Sequence, residues 1–262
     1  MTIGIAYTRA VSPRIAECAL THLQRRPIDA VRAAGQHAAY EAALAAAGLT
    51  IQRLTPLPDH PDGVFVEDTA LILGEHAVIT RPGAQSRAHE TPSTATGLAH
   101  DFTVHRLSDG RLDGGDVLRI GRTLYVGRSG RSDAAGIGAL ADLVGPLGYQ
   151  VVTVPIDAAL HLKTAVTFAG ADSAGTPVLL YDPAAIRPDP FAGVEPVAVD
   201  PDEPAAANVL RVGRTLIVAA GNVRTAERLA ARGFDLVALD VSELQKAEAG
   251  LTCMSLIAAE EF

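Results

Sequence analysis

The chain has 262 residues and a formal net charge of −8; 48% of its residues are apolar and 20% are charged. This balance predicts a folded globular protein with a substantial core and excludes a disordered chain. The acidic charge disfavours a polyanionic partner and favours a cationic one, and the absence of tryptophan argues against a stacking platform for nucleic acid. We therefore expect no nucleic-acid partner.

The two cysteines, Cys18 and Cys253, cannot form a disulfide framework and lack the spacing of a metal site. The first residues lack the basic region and the apolar stretch of a secretory signal. No apolar run approaches the roughly 18 to 20 residues needed to cross a bilayer. We therefore expect a cytoplasmic protein that does not bind membranes and whose thiols stay reduced.

Strand and helix signals alternate in the first part of the chain. Residues 3–7 predict a short strand. Residues 28–48 are rich in alanine with helical spacing and end at Gly48, which predicts a helix. Residues 51–54 predict a second strand.

From residue 69 onward the sequence repeats itself. Residues 117–126 closely match residues 209–218, and each copy has the strand, glycine turn and strand of a β-hairpin. Residues 69–80 are a third copy, and residues 164–181 are a fourth, looser one. Since we expect a helix and then a short strand after each hairpin, each copy predicts a ββαβ unit.

The residues that open successive copies lie 45 to 48 positions apart, a period typical of propellers and repeat arrays. The fifth copy is incomplete, and the predicted N-terminal strand and helix can complete it. We therefore predict one α/β domain over residues 1–262, a pseudo-five-fold, five-bladed ββαβ propeller whose last blade is closed by the N- and C-terminal strands. The opening residues, which such a ring would bring around one axis, are Asp68, Asp116, Leu162, Asn208 and Cys253.

Some of these positions indicate chemistry. Asp116 and Asn208 can be explained as turn formers that precede strands. Cys253 and His161, which lies beside Leu162, are not turn formers. A thiol in an apolar segment is usually core packing, but the convergence of this thiol and this imidazole with carboxylates at one end of a channel predicts a catalytic site.

Five short segments then occur in order at compatible spacings: 65–70, 79–84, 112–118, 160–163 and 251–253. Together they resemble the dimethylarginine dimethylaminohydrolases, members of the pentein superfamily of guanidine-modifying enzymes. The resemblance covers nearly the whole chain, and five ordered segments are far more specific than a single Gly-Gly-Asp. The superfamily fold is a five-bladed ββαβ propeller, which agrees with the repeat count.

The resemblance implies hydrolysis of an Nω-methylated arginine to citrulline and dimethylamine, with no cofactor and no metal. The Cys253 thiolate would attack the guanidinium carbon and form a covalent thiouronium intermediate. His161 would protonate the leaving amine and then activate water, and Asp113 would orient His161. A bound cation would lower the pKa of the thiol, so that the substrate helps to activate its own attacker.

Substrate binding should follow charge. Asp68, supported by Glu67, is expected to hold the guanidinium in a bidentate arrangement. The resemblance also implies that residues 9–13 act as a lid. Further substrate contacts that it implies are Asp62 at the guanidinium end, Arg87 and Arg131 at the amino-acid carboxylate, and backbone groups near Val11 and Ala247.

The chain departs from the family in two places. Met254 follows Cys253 where the family often has a second cysteine, and Asp113 stands where some relatives carry glutamate. Two alternatives stay open. A single-domain arginine deiminase or another guanidine hydrolase would use the same residues on a different substrate, and the size of the pocket decides between them. A non-catalytic five-bladed binding protein, such as a ribosome anti-association factor, would need no Cys/His/acid set. A homodimer through an outer strand also stays open.

Overall fold

Fifteen strands form five separate three-stranded sheets in the computed structural model, which describes residues 4–156 and 158–259. In chain order they are β1 (Gly4–Thr8), β2 (Leu49–Arg53), β3 (Ala70–Leu73), β4 (His76–Ile79), β5 (Thr103–Arg106), β6 (Val117–Ile120), β7 (Thr123–Arg128) and β8 (Gln150–Pro155). They continue with β9 (Val166–Ala171), β10 (Pro177–Tyr181), β11 (Glu195–Ala198), β12 (Leu210–Val212), β13 (Thr215–Ala219), β14 (Asp235–Leu239) and β15 (Leu256–Ala259).

Helices connect the strands, and 3-10 turns precede several of the strands. Within the described residues, the helices are α1 (Ala30–Ala46), α2 (Thr91–Leu98), α3 (Ala134–Val144), α4 (Leu162–Ala165), α5 (Val223–Ala231) and α6 (Ser242–Gln245). The 3-10 turns are Ile15–Glu17, Val66–Thr69, Gln85–Glu90, Gly114–Asp116, Gly145–Leu147, Pro204–Ala207 and Thr252–Met254. In this part of the chain, no helix combines the length and the apolar character that a bilayer crossing requires.

All five sheets have the same pairing pattern. In each one the middle strand pairs antiparallel with the strand on one side and parallel with the strand on the other. The antiparallel pairs β3–β4, β6–β7, β9–β10 and β12–β13 are the four predicted hairpins, which are therefore confirmed. Three of them turn at Gly74, Gly121 and Gly213, whose φ of 56° to 60° is readily adopted only by glycine.

The fifth sheet joins the two ends of the described chain. β15 pairs antiparallel with β1, with Tyr7 opposite Leu256, and β1 pairs parallel with β2. This confirms that C-terminal and N-terminal strands share one sheet. The predicted strand 3–7 is β1, and Ile3 lies outside the described residues. The helix predicted at 28–48 is α1, which begins later because the Asp29 carboxylate caps it by accepting hydrogen bonds from the second and third helical N–H groups.

The third unit lacks the helix that we expected after every hairpin. Residues 182–194, all of which the structure describes, form turns between β10 and β11. Pro183, Pro188 and Pro190 stand in this segment, and each removes a backbone donor and clashes with the preceding helical turn. The expectation of a helix was therefore wrong for this unit.

The leading strands of the five sheets face a common interior. β3, β6, β9, β12 and β15 all contribute residues to the wall of one cavity of about 260 Å³. Five hydrophobic clusters fill the remaining space between the sheets and the helices that cover them. We number the units 1 to 5 by their opening residues, Asp68, Asp116, Leu162, Asn208 and Cys253.

A series of hydrogen bonds, here called the polar belt, links each unit to the next at these opening residues. Most of its bonds join a side chain of one unit to the backbone of the next. The Gly115 N–H donates to Asp68 Oδ1 (3.0 Å), the Leu162 N–H to Asp116 Oδ1 (2.8 Å) and the Thr252 N–H to Asn208 Oδ1 (3.1 Å). Thr167 Oγ1 donates to the Ala207 carbonyl (2.7 Å) and accepts from the Val209 N–H (3.3 Å), and Thr252 Oγ1 donates to Glu67 Oε2 (2.8 Å).

The link between units 3 and 4 can be tested at Thr167, whose side chain is buried. Replacing it by valine keeps the shape but leaves the Val209 N–H and the Ala207 carbonyl without this partner. We expect Thr167→Val to lower the free energy of unfolding in urea by about 1–3 kcal/mol. Thr167→Ser retains the hydroxyl and should lose clearly less. Equal losses in the two variants would show that the hydroxyl does not link the units.

Candidate active site

Cys253 lies in the 3-10 turn Thr252–Met254, immediately before β15, and is partly buried. Its Sγ accepts a hydrogen bond from the Gly250 N–H (3.3 Å). Burial raises the pKa of the Cys253 thiol to about 12, and the neighbouring carboxylates of Glu67 and Asp68 add to this rise. The thiol is therefore protonated at neutral pH and needs a nearby positive charge to become a nucleophile.

His161 precedes the single turn α4 and is buried. Its Nε2 lies 2.9 Å from Asp113 Oδ2, and its Nδ1 lies 3.8 Å from Asp68 Oδ1. Burial alone would lower the pKa of His161, but the carboxylates of Asp68, Asp113 and Asp116 outweigh burial and raise this pKa to about 9. The ring is therefore an imidazolium at neutral pH.

Asp113 is completely buried behind the imidazole. Its Oδ1 accepts from the Gly83 N–H (2.7 Å), so that Oδ2 is left to hold His161. The glycines that follow are required by close contacts. A Cβ on Gly115 would lie 2.7 Å from both Asp68 Oδ1 and His161 Nδ1. The Gly-Gly pair thus lets the backbone pass beside the carboxylate and the ring.

Asp68 is held by a buried arginine. Arg87 Nη1 donates to Asp68 Oδ2, and Arg87 Nη2 donates to Glu90 Oε2 (2.8 Å) and to the Phe65 carbonyl (2.7 Å). Burial would raise the pKa of Asp68, but the charges of His161 and Arg87 prevail and lower it. Asp68 is therefore a carboxylate that already accepts one guanidinium.

Glu67 points to the other side of its turn. Lys163 Nζ donates to its Oε1 (2.6 Å) and Thr252 Oγ1 to its Oε2 (2.8 Å). Burial raises the pKa of Glu67 against the opposing charge of Lys163. Both carboxylate oxygens thus have protein partners, and one of these partners is the residue next to Cys253.

Seven of the ten predicted site residues line one small cavity, and three do not. The seven are Asp62, Asp68, Arg87, Arg131, His161, Ala247 and Cys253. Asp113 lies behind His161, Glu67 contacts Lys163 and Thr252, and Val11 is not part of the wall. The structure thus brings together residues that are far apart in sequence, while their roles in substrate binding stay predictions.

Asp62 and Arg131 both bind residues 19–23, here called the covering segment, of which Ala19 lines the cavity. The Ala19 N–H lies 3.2 Å from each carboxylate oxygen of Asp62, and Arg131 Nη2 donates to Thr21 Oγ1 (2.9 Å). Arg131 Nη1 also lies 3.9 Å from Asp113 Oδ2. Its guanidinium therefore bridges the covering segment and the acid behind His161.

Glu248 was missed by the sequence analysis. Its carboxylate accepts the N–H groups of Thr21 (2.9 Å), His22 (2.5 Å) and Leu23 (2.5 Å), and its own backbone has a φ of 62°. It thereby fastens the segment that contains Ala19 over the cavity. A left-handed glutamate with partners more than 200 positions away leaves no local pattern to find.

The loop predicted to act as a lid begins with an anchored residue. Arg9 is completely buried and donates to the carbonyls of Thr55 (3.1 Å) and Gly63 (3.0 Å) and to Thr94 Oγ1 (2.9 Å). The covering segment lies farther along the chain and contributes Ala19 to the wall of the cavity. The lid role of residues 9–13 stays a prediction.

The cavity has a volume of about 30 Å³, room for roughly one water molecule. Leu160, Glu248 and Ala249 separate it from a second cavity of about 530 Å³ and belong to the walls of both. An arginine-sized ligand can therefore reach Cys253 only if part of this wall or the covering segment moves.

Asp68, Asp113 and His161 each offer a ligand atom, and the three atoms lie within 4.8 Å of one another. A metal ion would fit such a spacing. The same atoms, however, already hold each other, Arg87 and backbone N–H groups. The binding of an organic cation by Asp68, which we expect from the sequence, stays a prediction.

The chain is 43% identical over 253 residues to N(G),N(G)-dimethylarginine dimethylaminohydrolase of Streptomyces coelicolor, covering 96% of this chain and 95% of that protein. No protein-family model matches the chain.

Two solved structures have the same fold. A cysteine-to-serine mutant of the dimethylarginine dimethylaminohydrolase of Pseudomonas aeruginosa, complexed with citrulline, superimposes with a TM-score of 0.91 at 29% identity and covers 98% of this chain and 100% of that one. An adduct of a dimethylarginine dimethylaminohydrolase with S-methyl-L-thiocitrulline superimposes with a TM-score of 0.88 at 29% identity, with the same coverage.

The charge on His161 predicts a pH dependence of stability. The pKa of about 9 in the folded protein exceeds the ordinary value of 6.5, so the folded state binds this proton more tightly than the unfolded state. The stabilisation is complete below pH 6.5 and is lost as the pH rises to 9. The wild type should therefore have a higher free energy of unfolding than His161→Gln at low pH, and this difference should fall by about 3 kcal/mol as the pH rises across this range.

Urea unfolding at several pH values measures this difference. His100→Gln, at an exposed position, serves as the matched control and should show no such trend. A difference between the wild type and His161→Gln that does not change between pH 6 and pH 9.5 would contradict a charged imidazole.

Proposed function

This chain belongs to the dimethylarginine dimethylaminohydrolase family, and from this premise we propose that its site hydrolyses Nω,Nω-dimethylarginine to citrulline and dimethylamine through a covalent intermediate on Cys253. The family predicted from the sequence is confirmed. The observation that supports the site is the placement of a partly buried thiol and a buried imidazolium in the wall of one small cavity.

We assign the five units to a closed five-bladed propeller within one domain. Three observations support this arrangement: the leading strands share one cavity, the polar belt returns from unit 5 to unit 1, and the last sheet contains both chain ends. The blades follow the ββαβ order except in unit 3, where prolines replace the helix. Residues from the opening of every blade would then meet at one end of the central channel.

The charge of the substrate would create the nucleophile. Three carboxylates, those of Asp62, Glu67 and Asp68, lie at or beside the cavity and favour a cation. When the guanidinium binds beside Cys253, its positive charge lowers the pKa of the thiol, which loses its proton to solvent. The thiolate Sγ then bonds to the guanidinium carbon, and the C=N electron pair moves to nitrogen.

His161 would supply and later remove protons. Since Nε2 is engaged with Asp113, the proton on Nδ1 is the one available for transfer. The imidazolium gives this proton to the dimethylamino nitrogen as the C–N bond breaks, and a thiouronium remains on Cys253. The neutral imidazole then takes a proton from water, whose oxygen attacks the thiouronium carbon. When this adduct collapses, the C–S bond breaks and citrulline is released, and the hydroxyl proton passes to the sulfur, which returns to the neutral thiol.

Asp113 would act by charge and orientation. Its Oδ1 is fixed by the Gly83 N–H, so its Oδ2 holds the ring in one position and stabilises the imidazolium. This is the role expected of a triad carboxylate, here carried by an aspartate.

We place the guanidinium of the substrate against Asp68 and Asp62. Both carboxylates lie in the wall of the cavity that contains Cys253, which supports this placement. We place the amino-acid carboxylate at Arg131, whose side chain lines the cavity. Its Nη2 donates to the neutral hydroxyl of Thr21, and a charged carboxylate is a stronger acceptor than a hydroxyl. Participation of Arg87 and of the backbone at Val11 and Ala247 stays a prediction.

The sequence left two alternatives open, an arginine deiminase and a non-catalytic binding protein, and the site bears on each of them differently. A deiminase acting on free arginine would use the same steps and release ammonia, so it is separated by substrate preference alone. A non-catalytic binding protein has no use for the thiol, imidazolium and acid set. We further propose a cytoplasmic location, where the Cys253 thiol stays reduced; a homodimer through an outer strand stays a prediction.

Activity on methylated arginine is the direct test. The purified protein, treated with EDTA and given no cofactor, should convert asymmetric dimethylarginine to citrulline. Measured side by side, dimethylarginine should exceed free arginine in kcat/KM by about tenfold or more, since a pocket that fits the methyl groups gains their burial. Preference for arginine would change the substrate and leave the mechanism; no turnover of any guanidine would contradict the proposal.

The nucleophile can be tested against the other cysteine of the chain. Cys253→Ser and His161→Ala should each lower kcat by on the order of 10⁴-fold, because a member of the nucleophile, base and acid set is lost. Cys18→Ala is the matched control, because Cys18 is completely buried and does not line the cavity. Full activity in Cys253→Ser would exclude covalent catalysis by this residue.

A further inference from the structure

Asn208 opens unit 4 and has no part in the steps above. The sequence analysis explained it as a turn former before a strand. In the structure its side chain is buried and lies between the 3-10 turn Pro204–Ala207 and β12. A turn former would bond to its own neighbours, whereas the contacts of this amide are with two other units.

The amide of Asn208 makes three hydrogen bonds. Nδ2 donates to the Lys163 carbonyl (2.8 Å) and to Thr252 Oγ1 (3.0 Å), and Oδ1 accepts from the Thr252 N–H (3.1 Å). These partners fix which end of the amide is nitrogen, since a carbonyl needs a donor and an N–H needs an acceptor.

The bonds from Asn208 to Thr252 fix the position of Cys253. Thr252 directly precedes the nucleophile, and Gly250 packs against the Asn208 amide so closely that a Cβ would lie 2.3 to 2.7 Å from its atoms. The Gly250 N–H in turn donates to Cys253 Sγ. The amide therefore touches both residues that set where the sulfur lies.

The bond from Asn208 to the Lys163 carbonyl fixes the segment that carries His161. Lys163 lies two residues after His161 in the single turn α4, and its carbonyl is the acceptor for Asn208 Nδ2. Its side chain is tied to Glu67, which also accepts from Thr252. Asn208 and Glu67 thus connect the same two segments from different sides.

We propose that Asn208 is a positioning residue for the attack of Cys253 on the guanidinium carbon: its amide fixes the turn that carries the thiol relative to the turn that carries the imidazolium. This inference rests on the proposed function. Asn208 does not line the cavity that contains Cys253 and His161 but lines the larger cavity behind it. Its loss should therefore disturb the alignment of the reacting groups and leave the substrate contacts in place.

Steady-state kinetics with dimethylarginine test the proposal. Asn208→Ala should lower kcat by about 10- to 100-fold and change KM by less than about threefold. A reacting group that is misplaced by about 1 Å slows the chemical step but leaves the contacts that bind the substrate in the ground state. Asn208→Asp keeps the shape and the acceptor for the Thr252 N–H but loses both donated bonds, so its kcat should also fall. If Asn208→Ala does not fold, Asn208→Asp decides the question.

Asn222→Ala is the matched control, since Asn222 lines the same larger cavity and does not line the small one. It should have wild-type kcat and KM. Rates are expressed per folded protein, with the melting temperature measured for every variant. A raised KM with unchanged kcat, or a kcat loss no larger than that of Asn222→Ala, would overturn the positioning role. A wild type that turns over no guanidine would overturn the proposed function together with it.

A double-mutant cycle tests whether Asn208 acts through Thr252. Thr252→Val removes the hydroxyl that accepts from Asn208 and donates to Glu67, and it should lower kcat as well. The double variant should lose less than the product of the two single losses, because residues in one hydrogen-bond network are not additive. Fully multiplicative losses would place Asn208 outside the path to Cys253 and overturn the proposal.

Discussion

The polar belt is the constraint on which the rest of the structure depends. At the opening of each unit the chain passes from a turn into a buried strand, and the N–H groups there need partners that water cannot supply. In units 2 to 5 one of these N–H groups donates to a side chain of the preceding unit, so the bonds that satisfy buried backbone also fix neighbouring units against each other. The link from unit 5 to unit 1 joins two side chains. These bonds hold side chains from different units at fixed distances from each other. A catalytic site built from distant segments of the chain requires such fixed distances.

The belt also determines the electrostatics of the site. It brings several buried carboxylates to one place, and their field raises the pKa of both reactive groups. The His161 ring is thereby kept charged, and the Cys253 thiol, whose pKa is raised mainly by burial, is kept neutral. The site at rest thus has an acid ready to protonate a leaving group and a nucleophile that is not yet formed. A cation is the species that such a field attracts and that reverses the state of the thiol, so recognition of the substrate and activation of the sulfur have one cause.

The sequence predicted what local patterns determine. Hairpins with a glycine turn recur as matching strings, and their period located Asp68 and Cys253 at equivalent places before any contact was known. The repeat indicated a catalytic site at Cys253 and His161, whereas the role of each residue, and that of Asp113, came from the resemblance. Contacts that depend on tertiary structure were not predictable: the prolines of unit 3 act against a helix that the repeat implied, and Glu248 binds backbone more than 200 positions away in a conformation that no pattern of its own indicates.

Comparison of the five opening positions explains why the reactive groups occur where they do. In units 1, 2 and 4 the opening residue is Asp68, Asp116 or Asn208, and its side chain makes the bond to the next unit. In units 3 and 5 the opening residues, Leu162 and Cys253, cannot make this bond strongly, and a threonine of the same unit makes it instead. These are the two units that carry the imidazole and the thiol. Because Thr167 and Thr252 make the structural bonds of units 3 and 5, the residues at the opening of these units can carry the reactive groups. Asn208, in the unit between them, holds the two segments together.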